Sequence, residues 1–335
     1  MKVKKSWVIV SPAMRDSNNG NWHTAHRWAQ FLSSHCDIAQ LQTWPQPHPS
    51  QLAGLKQSLE PQGMVALHAR RSAPAIEAWA ATWPHKPLIV VLTGTDLYRD
   101  IAFDASAQKS LAHATHLVVL QDAALAALPE PWRSKARVIY QSAPQLVPAV
   151  KPTRSFRAVM VGHLRAEKDP LTFMRAAGHA LPTLIHFDQI GQALEPGMAA
   201  AAHARAAQTP AYRWLGGLPR AATRQRIKRA HVLVNCSLME GGAHVILEAV
   251  QSGTPVLASH IDGNVGMLGA DYAGYFEVGN DLQLAALVRR CAAEPAFLGK
   301  LQVQCAQRAP LFATALEKRL ITSLVTSSIA CHTVP

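Results

Sequence analysis

The sequence has few cysteines, and none of them are spaced for binding zinc. The five cysteines are odd in number and scattered over 335 residues, and no Cys-x-x-Cys occurs. This distribution indicates reduced thiols and excludes a disulfide framework and a cysteine zinc site.

Long apolar runs are also missing. No run approaches the roughly 18 to 20 residues that cross a bilayer. Lys2, Lys4 and Lys5 precede only a short apolar run, 7–10, whereas the apolar region of a signal peptide is longer. These features predict a cytoplasmic protein with no stable membrane insertion.

Charged residues are sparse, and acidic ones especially so. Only 16% of residues are charged and 49% are hydrophobic, which is typical of a well-packed globular protein. The 33 basic residues outnumber the 21 acidic ones, which gives a net charge of +12 and suits nucleic acid or an anionic small molecule. No nucleic-acid-binding motif is present, so we predict no nucleic-acid partner. The densest basic cluster, 220–229, is interpreted as a solvated helix face.

The chain alternates short apolar strands with helices. The predicted strands are 7–10, 65–68, 88–92, 117–120 and 138–140 in the first half and 158–162, 184–187, 212–215, 232–235 and 255–258 in the second. Such alternation predicts α/β domains with parallel sheets, and 335 residues exceed one core of usual size. Three prolines between 144 and 152 mark a linker. We predict domains at 1–150 and 151–310, with 311–335 as a helix and tail that packs back on the first domain.

The run 240–248, Glu-Gly-Gly-Ala-His-Val-Ile-Leu-Glu, carries two carboxylates on either side of a helix start. Free N–H groups at that start can hold a phosphate. Glu240 would lie in the loop, and Glu248 about two turns into the helix near the same face. This arrangement suits a nucleotide sugar, whose hydroxyls flank a diphosphate. The residues between them are further donor-binding candidates: Gly241, Gly242, Ala243, His244, Val245 and Ile246.

A basic loop, 162–170, follows the first strand of the second half. Arg165 and Lys168 would neutralise a diphosphate leaving group, which is where charge develops when a glycosyl bond breaks. We therefore assign catalysis to Lys168, Arg165 and Glu240, and donor binding to Gly162, His163 and Glu248.

Two runs in the first half also follow strands. Asn-Asn-Gly-Asn at 18–21 opens a helix, whose backbone amides would face a ligand. His-Ala-Arg-Arg-Ser at 68–72 places two adjacent arginines at a strand end, and at most one of them points to a ligand. The candidates from these runs are Asn19, Gly20, Asn21, His68, Arg70 and Arg71.

Residues 156 to about 280 resemble the nucleotide-binding half of the GT-B glycosyltransferases, family 4 in particular. The matching positions are Gly162, Lys168, 214–216, 240–248 and 253–259. The first half is similar more loosely, through 67–69 and 94–98. The resemblance implies two doubly wound Rossmann-like domains that face a central cleft, a UDP-sugar as substrate, and no cofactor or metal. It also implies that Glu248 holds the ribose hydroxyls, Glu240 the sugar and Lys168 the diphosphate.

Three positions depart from that family. His163 stands where family members usually have arginine, with Arg165 nearby as a substitute, and Gly266 stands where they have a glutamate. Thr93 stands where many have a histidine at the reacting centre. A sugar hydroxyl is a weak nucleophile that needs a base, whereas an anionic acceptor does not.

The acceptor is therefore expected to be an anion. The basic residues of the first half, Arg15, Arg27, Arg70 and Arg71, suit a phosphate-like group. The runs 18–22, 68–72, 93–98 and 162–170 resemble the selenosugar synthases of selenoneine biosynthesis. That resemblance implies that selenophosphate attacks the anomeric carbon of a UDP-sugar such as UDP-N-acetylglucosamine. Thr93 and Asp96 join the acceptor-binding candidates on the same ground.

Three alternatives stay open at this point. The first is a family 4 transferase that makes an O-glycoside on a glycan or small-molecule acceptor. The second is a peripheral membrane protein that docks on anionic lipid through the basic helix 220–229, although the intervening residues are mostly polar or alanine. The third is a nucleotide-sugar sensor, which would bind without turnover.

Overall fold

A computed structural model describes residues 5–13, 20–45, 60–179, 182 and 184–330 of the chain. The strands are β1 Lys5–Val10, β2 Cys36–Leu41, β3 Gly63–Leu67, β4 Leu88–Val91, β5 His116–Val119, β6 Ala136–Val138, β7 Phe156–Val161, β8 Ile185–Ile190, β9 Tyr212–Trp214, β10 Val232–Asn235, β11 Val256–Ser259 and β12 Tyr275–Phe276. The helices are α1 Gly20–Leu32, α2 Ala73–Thr82, α3 Ile101–Phe103, α4 Ala105–His113, α5 Ala124–Ala127, α6 Glu130–Arg133, α7 Pro170–Ala177, α8 Met198–Gln208, α9 Arg220–Arg229, α10 His244–Val250, α11 Asp262–Leu268, α12 Asp281–Ala293, α13 Pro295–Arg308 and α14 Thr314–Ala330.

The chain divides into two compact units. Unit 1 comprises Met1–Gln141 and Thr314–Pro335, and unit 2 comprises Ser142–Ala313. Among the described residues, each unit holds one six-stranded sheet, and every strand pair in both sheets is parallel. The predicted fold class, two Rossmann-like α/β domains with parallel sheets, is confirmed.

The sheet of unit 1 has the strand order β2-β1-β3-β4-β5-β6. Its central strands β3 and β4 are buried at every position, as expected of parallel strands covered on both faces. Helix α1 buries Ala25, Trp28 and Leu32, which are three and four residues apart and therefore share one helix face. Helix α14 packs against α1 and adds Ile321 and Val325 to the same core.

The sheet of unit 2 has the order β12-β11-β10-β7-β8-β9. Strands β10 and β11 are buried at every position, and each consists of three apolar residues followed by one polar residue. No helix among the described residues is both long and apolar enough to cross a membrane.

The sequence did not predict β2 or β12. Both lie at a sheet edge. Strand β2 mixes polar with apolar residues and alternates between buried and half-buried positions, and β12 has only two residues. An apolar-run criterion detects central strands and misses edges of this kind.

Candidate functional site

The candidate donor residues lie where the strand order of unit 2 reverses. From β7 the chain adds β8 and β9 on one side of the sheet and then returns to place β10 on the other side. In open parallel sheets, the crevice at such a reversal is the usual ligand site. The loop after β7 contains Gly162 to Lys168, and the loop after β10 contains Glu240. The two loops singled out in the sequence are therefore neighbours in unit 2.

The first of these loops is anchored to the loop that follows β8. The Gly162 N–H donates to Ile190 O at 2.9 Å, and the Leu164 N–H donates to Gln192 O at 2.8 Å. His163 Nδ1 accepts from the Gln192 N–H at 3.3 Å. A Cβ at Gly191 would lie 1.9 Å from Gly162 O, so only glycine permits this approach. The histidine that replaces the family's arginine thus ties two loops together.

Lys168 and Glu240 form an ion pair that joins the loops after β7 and β10. The Glu240 carboxylate also accepts from Ser237 Oγ at 2.7 Å. Burial by itself would raise the pKa of Glu240, but the Lys168 charge and hydrogen bonds from Lys168, Ser237 and Asn235 hold that pKa below its ordinary value. The pair therefore presents an ionised carboxylate and an ammonium side by side.

A network of buried polar side chains makes hydrogen bonds to the loop that contains Glu240. Asn264 Nδ2 donates to Ser259 O at 2.9 Å, and Ser259 Oγ donates to Ser237 O at 2.6 Å. A Cβ at Gly263 would lie 2.0 Å from Glu240 O, so this glycine lets α11 approach the loop. The sequence analysis did not identify Ser237, Ser259 or Asn264, because they belong to three different elements: the loop after β10, the end of β11 and helix α11.

Arg165 lies on the extended backbone before the short turn 166–168. Its side chain is 39% exposed, and its Nε is 3.9 Å from Glu167 Oε2. Nε is buried and has no hydrogen-bond partner among the described residues. The loop keeps its shape through Glu195, whose carboxylate accepts from the Ala166 N–H at 3.0 Å. Arg165 thus offers a cation beside Lys168.

The residues from Gly241 to Ile246 form the turn into α10 and its first residues. Ile246 is fully buried, and its N–H donates to Ala243 O at 2.9 Å, so it contributes to the core. Gly241 and Ala243 are buried, whereas Gly242, His244 and Val245 are half-buried. The half-buried positions are the ones that face the outside of the unit.

Glu248 is buried and lies beside two arginines of α9. Arg220 Nη2 donates to Glu248 Oε1 at 3.3 Å, and Arg224 Nε is 4.0 Å from the same oxygen. Burial lowers the pKa of Arg224, although Glu248 opposes that shift. The sequence analysis interpreted the basic cluster of this helix as a solvated face. That interpretation holds for Arg220, whose side chain is 45% exposed, and was wrong for Arg224, whose side chain is 13% exposed beside Glu248.

In unit 1 the strand order reverses between β1 and β3. His68 directly follows β3, has a φ of +73°, and is 1% exposed. Its Nδ1 accepts from the Arg71 N–H at 3.3 Å, and its Nε2 lies 3.0 Å from Thr95 Oγ1. Burial, with the charges of Arg71 and Arg70, lowers the His68 pKa against the opposing effect of Asp96 and Asp100. His68 is therefore neutral near pH 7, with both nitrogens engaged.

Asp96 ties the loop after β4 to the loop after β3. Its Oδ1 accepts from the Thr93 N–H at 2.8 Å and the Gly94 N–H at 3.0 Å, and its Oδ2 accepts from the Ala69 N–H at 2.9 Å. Thr93 Oγ1 also donates to Asp96 Oδ1, at 3.2 Å. The structure thus brings Thr93, Asp96 and His68 together and gives Asp96 a positioning role.

Arg70 and Arg99 share one carboxylate, Asp100. Arg70 Nε donates to Asp100 Oδ2 at 2.8 Å, and Arg99 Nε donates to Asp100 Oδ1 at 3.1 Å. Burial would raise the Asp100 pKa, but hydrogen bonds from Arg70 and Arg99 hold that pKa below its ordinary value. With Phe103 and Asp104 these residues line an open pocket of about 390 Å³. Arg71 is exposed, as the opposite direction of adjacent side chains predicts.

The remaining first-half candidates have different outcomes. Gly20 and Asn21 begin α1, which follows β1 at the strand-order reversal. Asn19 and Arg15 lie outside the described residues. The expectation that Arg27 helps to hold an anionic acceptor stays a prediction. Its guanidinium makes two hydrogen bonds of 2.8 Å to the fully buried Glu317 of α14, so its charge is already neutralised.

Comparison with known proteins identifies the class of the second unit. Residues 146–311 match the family model described as "Glycosyl transferases group 1". Within the part of the chain that the structure describes, no group of three or more His, Cys, Asp and Glu side chains is placed to hold a metal ion.

Solved structures with the same fold cover nearly the whole chain. Sucrose-phosphate synthase from Thermosynechococcus elongatus is 14% identical with a TM-score of 0.76, and the match covers 98% of this chain and 100% of that one. Anabaena HepE, solved with UDP-glucose, is 15% identical with a TM-score of 0.75, over 96% and 99% of the two chains. The pneumococcal O-GlcNAc transferase GtfA, solved with UDP and GlcNAc, is 16% identical with a TM-score of 0.61, over 81% and 57%. These likenesses establish the GT-B fold.

Proposed function

From the premise that residues 146–311 belong to the glycosyl transferases group 1 family, we propose that the chain transfers a sugar from a UDP-sugar to selenophosphate. In this reaction the sugar donor is UDP-N-acetylglucosamine. Selenium attacks the anomeric carbon, the bond from that carbon to the diphosphate oxygen breaks, and UDP leaves with the electron pair. Water then hydrolyses the selenium–phosphorus bond, which releases phosphate and leaves a selenosugar.

The donor half of the proposal is supported by the charges at the end of β7. The Lys168–Glu240 pair and Arg165 lie in neighbouring loops at the strand-order reversal. Two cations there would stabilise the negative charge that grows on a departing diphosphate. The proposed reaction therefore uses no metal or cofactor. Glu240 would then exchange Lys168 for hydroxyls of the sugar.

The acceptor half is carried by one observation, the arrangement around Thr93. The position where related enzymes have a histidine holds a threonine whose N–H and hydroxyl both bind Asp96. His68, the imidazole of the neighbouring loop, is buried with both nitrogens engaged. A neutral hydroxyl acceptor would lack a base here, whereas selenophosphate is already an anion. Arg70, which lines the open pocket, supplies a cation for its phosphoryl oxygens.

The choice of N-acetylglucosamine and of selenium rests on resemblance. The runs 18–22, 68–72, 93–98 and 162–170 resemble those of the selenosugar synthases. HepE was solved with UDP-glucose, and GtfA was solved with UDP and GlcNAc.

A substrate panel tests both halves. The purified chain is incubated with UDP-N-acetylglucosamine, UDP-glucose or UDP-galactose and, separately, with selenophosphate, thiophosphate, phosphate or simple alcohols. We expect a product with the selenium isotope pattern in mass spectrometry, with UDP and phosphate released in equal amounts. Its rate should stay nearly flat over the middle of the pH range, because the acceptor is ionised without help from the protein.

Two outcomes would contradict the proposal. An O-glycoside formed from an alcohol, with no turnover of selenophosphate, would establish the alternative transferase. Tight binding of a UDP-sugar without turnover of any acceptor would identify a sensor.

A further inference from the structure

Two arginines of α9 face a buried carboxylate that the sequence assigned to donor binding. Glu248 is 7% exposed, and its Oε1 is 3.3 Å from Arg220 Nη2 and 4.0 Å from Arg224 Nε. The arginines are four residues apart, so they project from the same side of the helix. The contact joins α9 to α10, and both elements belong to unit 2.

The two arginines differ in how firmly they are held. The Arg224 side chain is 13% exposed, and its Nη2 donates to Pro144 O at 2.7 Å. The Arg220 side chain is 45% exposed and has only a long hydrogen bond to Glu248. Arg224 Nε is buried and has no hydrogen-bond partner among the described residues, so Arg224 acts on Glu248 through its charge, from a position that Pro144 fixes. Arg220 supplies the hydrogen bond to Glu248 from the rim.

A carboxylate discriminates between ligands when it is ionised and cannot move. If a ligand lacks the hydroxyl that such a carboxylate accepts from, the buried charge stays unpaired, and the ligand binds more weakly. If the carboxylate can rotate away to solvent, the missing hydroxyl costs little. The fixed position of Arg224 thus bears on selectivity.

We propose that Arg224, assisted by Arg220, positions Glu248 so that the donor site selects ribose nucleotides over 2′-deoxyribose nucleotides. The inference rests on the proposed function, in which Glu248 accepts hydrogen bonds from the ribose hydroxyls. Arg224 is a positioning residue in this account, because it acts on the nucleotide through Glu248.

The test measures the dissociation constants of UDP and 2′-deoxy-UDP by titration calorimetry. The unmodified chain should bind UDP about 10- to 100-fold more tightly than 2′-deoxy-UDP, the range for a hydrogen bond to a charged group. This factor is the ratio of the two dissociation constants. Arg224→Gln should reduce that ratio to about threefold or less. It should do so by weakening the binding of UDP, while the dissociation constant of 2′-deoxy-UDP changes less than about twofold. Arg220→Gln should reduce the ratio partly. Arg229→Gln, on an exposed residue of the same helix, should leave it unchanged.

A merely structural role would give a different result. If Arg224→Gln weakens UDP and 2′-deoxy-UDP by the same factor, the positioning role is wrong. Arg224→Lys, which keeps the charge and loses the planar fork, decides by the same criterion if Arg224→Gln does not fold.

Glu248→Gln separates failure of the inference from failure of the proposed function. If Glu248→Gln keeps the preference of the unmodified chain for UDP over 2′-deoxy-UDP, Glu248 does not contact the ribose. If the unmodified chain binds the two nucleotides equally, the same conclusion follows. Either result would overturn the ribose contact of the proposed function and the inference with it. If Glu248→Gln loses the preference for UDP over 2′-deoxy-UDP and Arg224→Gln retains it, only the inference is overturned.

Discussion

Single residues at the candidate site carry charges that are paired within their own unit. Glu240 is paired with Lys168, Asp100 with Arg70, and Glu248 with Arg220. Pairing holds each side chain in place before a ligand arrives, which lowers the cost of organising the site when it binds. It also means that a ligand must exchange contacts with these groups, so small changes of side-chain geometry should alter binding.

The first prediction concerns the acceptor cations. Arg70→Lys should raise the apparent KM for selenophosphate about fivefold or more, because lysine cannot reproduce the bidentate hydrogen bonding of a guanidinium. Arg71→Lys should change that KM little, because adjacent side chains point in opposite directions. Arg70 should show the larger effect, since Asp100 already fixes its orientation at 2.8 Å. The KM for the UDP-sugar should not change. Steady-state kinetics with each substrate varied in turn measures both constants.

Arg99→Lys is the matched control for these variants. Arg99 pairs with the same carboxylate, Asp100, and is similarly exposed. A rise in the selenophosphate KM for Arg99→Lys, with none for Arg70→Lys or Arg71→Lys, would assign acceptor binding to Arg99 instead.

The sequence predicted the positions of site residues better than their partners. Lys168 and Glu240 were predictable, because residues at the carboxyl ends of parallel strands meet at one sheet edge. The pairing of Glu248 with Arg220 was not predictable from the sequence. A helix with five cations has the same composition whether its basic side chains face solvent or a buried carboxylate. Asp100 was missed because it follows Asp96 on the short helical turn 96–100, where no motif singles it out.

At the scale of elements, close backbone approaches fix the loops that carry the site. Gly263 lets the start of α11 approach the backbone of Glu240, and Gly191 lets the loop after β8 approach Gly162. A protein interior is close-packed, so a methyl group at either glycine must move the neighbouring backbone. These glycines act on function through geometry and not through contact with a ligand.

The second prediction is that Gly263→Ala displaces the Glu240 loop. Its Cβ would lie 2.0 Å from a backbone oxygen, so the variant should lose about 1–3 kcal/mol of unfolding free energy, the usual cost of overpacking. It should also bind the UDP-sugar more weakly. Urea denaturation and titration calorimetry measure the two effects.

Gly299→Ala provides the opposite expectation. This glycine lies within α13, and no heavy atom lies within 4 Å of a Cβ built there. Alanine should stabilise the helix by about 1 kcal/mol and leave donor binding unchanged. If Gly263→Ala behaves like Gly299→Ala, the close approach does not hold the Glu240 loop.

Central strands and edge strands differed in how well the sequence predicted them. The predicted strand 232–235 coincides with β10, which is a continuous buried run of four residues. For β8 the sequence indicated 184–187, whereas the strand spans Ile185–Ile190, because the polar Asp188 and Gln189 interrupt the apolar run. Those polar residues are nevertheless buried, each with a hydrogen-bond partner, Arg213 for Asp188 and Tyr212 for Gln189. Long-range partners of this kind make a polar strand possible and leave no local signal.

At the scale of the whole molecule, the end of the chain belongs to unit 1. Helix α14 begins at Thr314, after the last residue of unit 2, and packs on α1. Its Glu317 is fully buried and accepts hydrogen bonds from Arg27 and, at 2.7 Å, from Trp28 Nε1. A buried carboxylate with these partners orients the helix as well as holding it, because a rotation of α14 would leave the charge unpaired.

The last prediction follows from that contact. Glu317→Ala removes the partner of a nearly buried guanidinium and should lower the unfolding free energy of unit 1 by about 3 kcal/mol. Every tryptophan except Trp214 lies in unit 1, so a Trp214→Phe background restricts the fluorescence signal to that unit. Urea denaturation in this background, with and without Glu317→Ala, measures the loss directly.

Lys318→Ala is the matched control, since this residue is adjacent on α14 and exposed. Lys318→Ala should leave the midpoint of urea denaturation unchanged, because an exposed charge contributes little to stability. A similar midpoint for Glu317→Ala and Lys318→Ala would mean that apolar residues such as Ile321 and Val325 hold the helix without the ion pair. A selective loss in Glu317→Ala would instead establish that one buried carboxylate couples the two ends of the chain in a single folding unit.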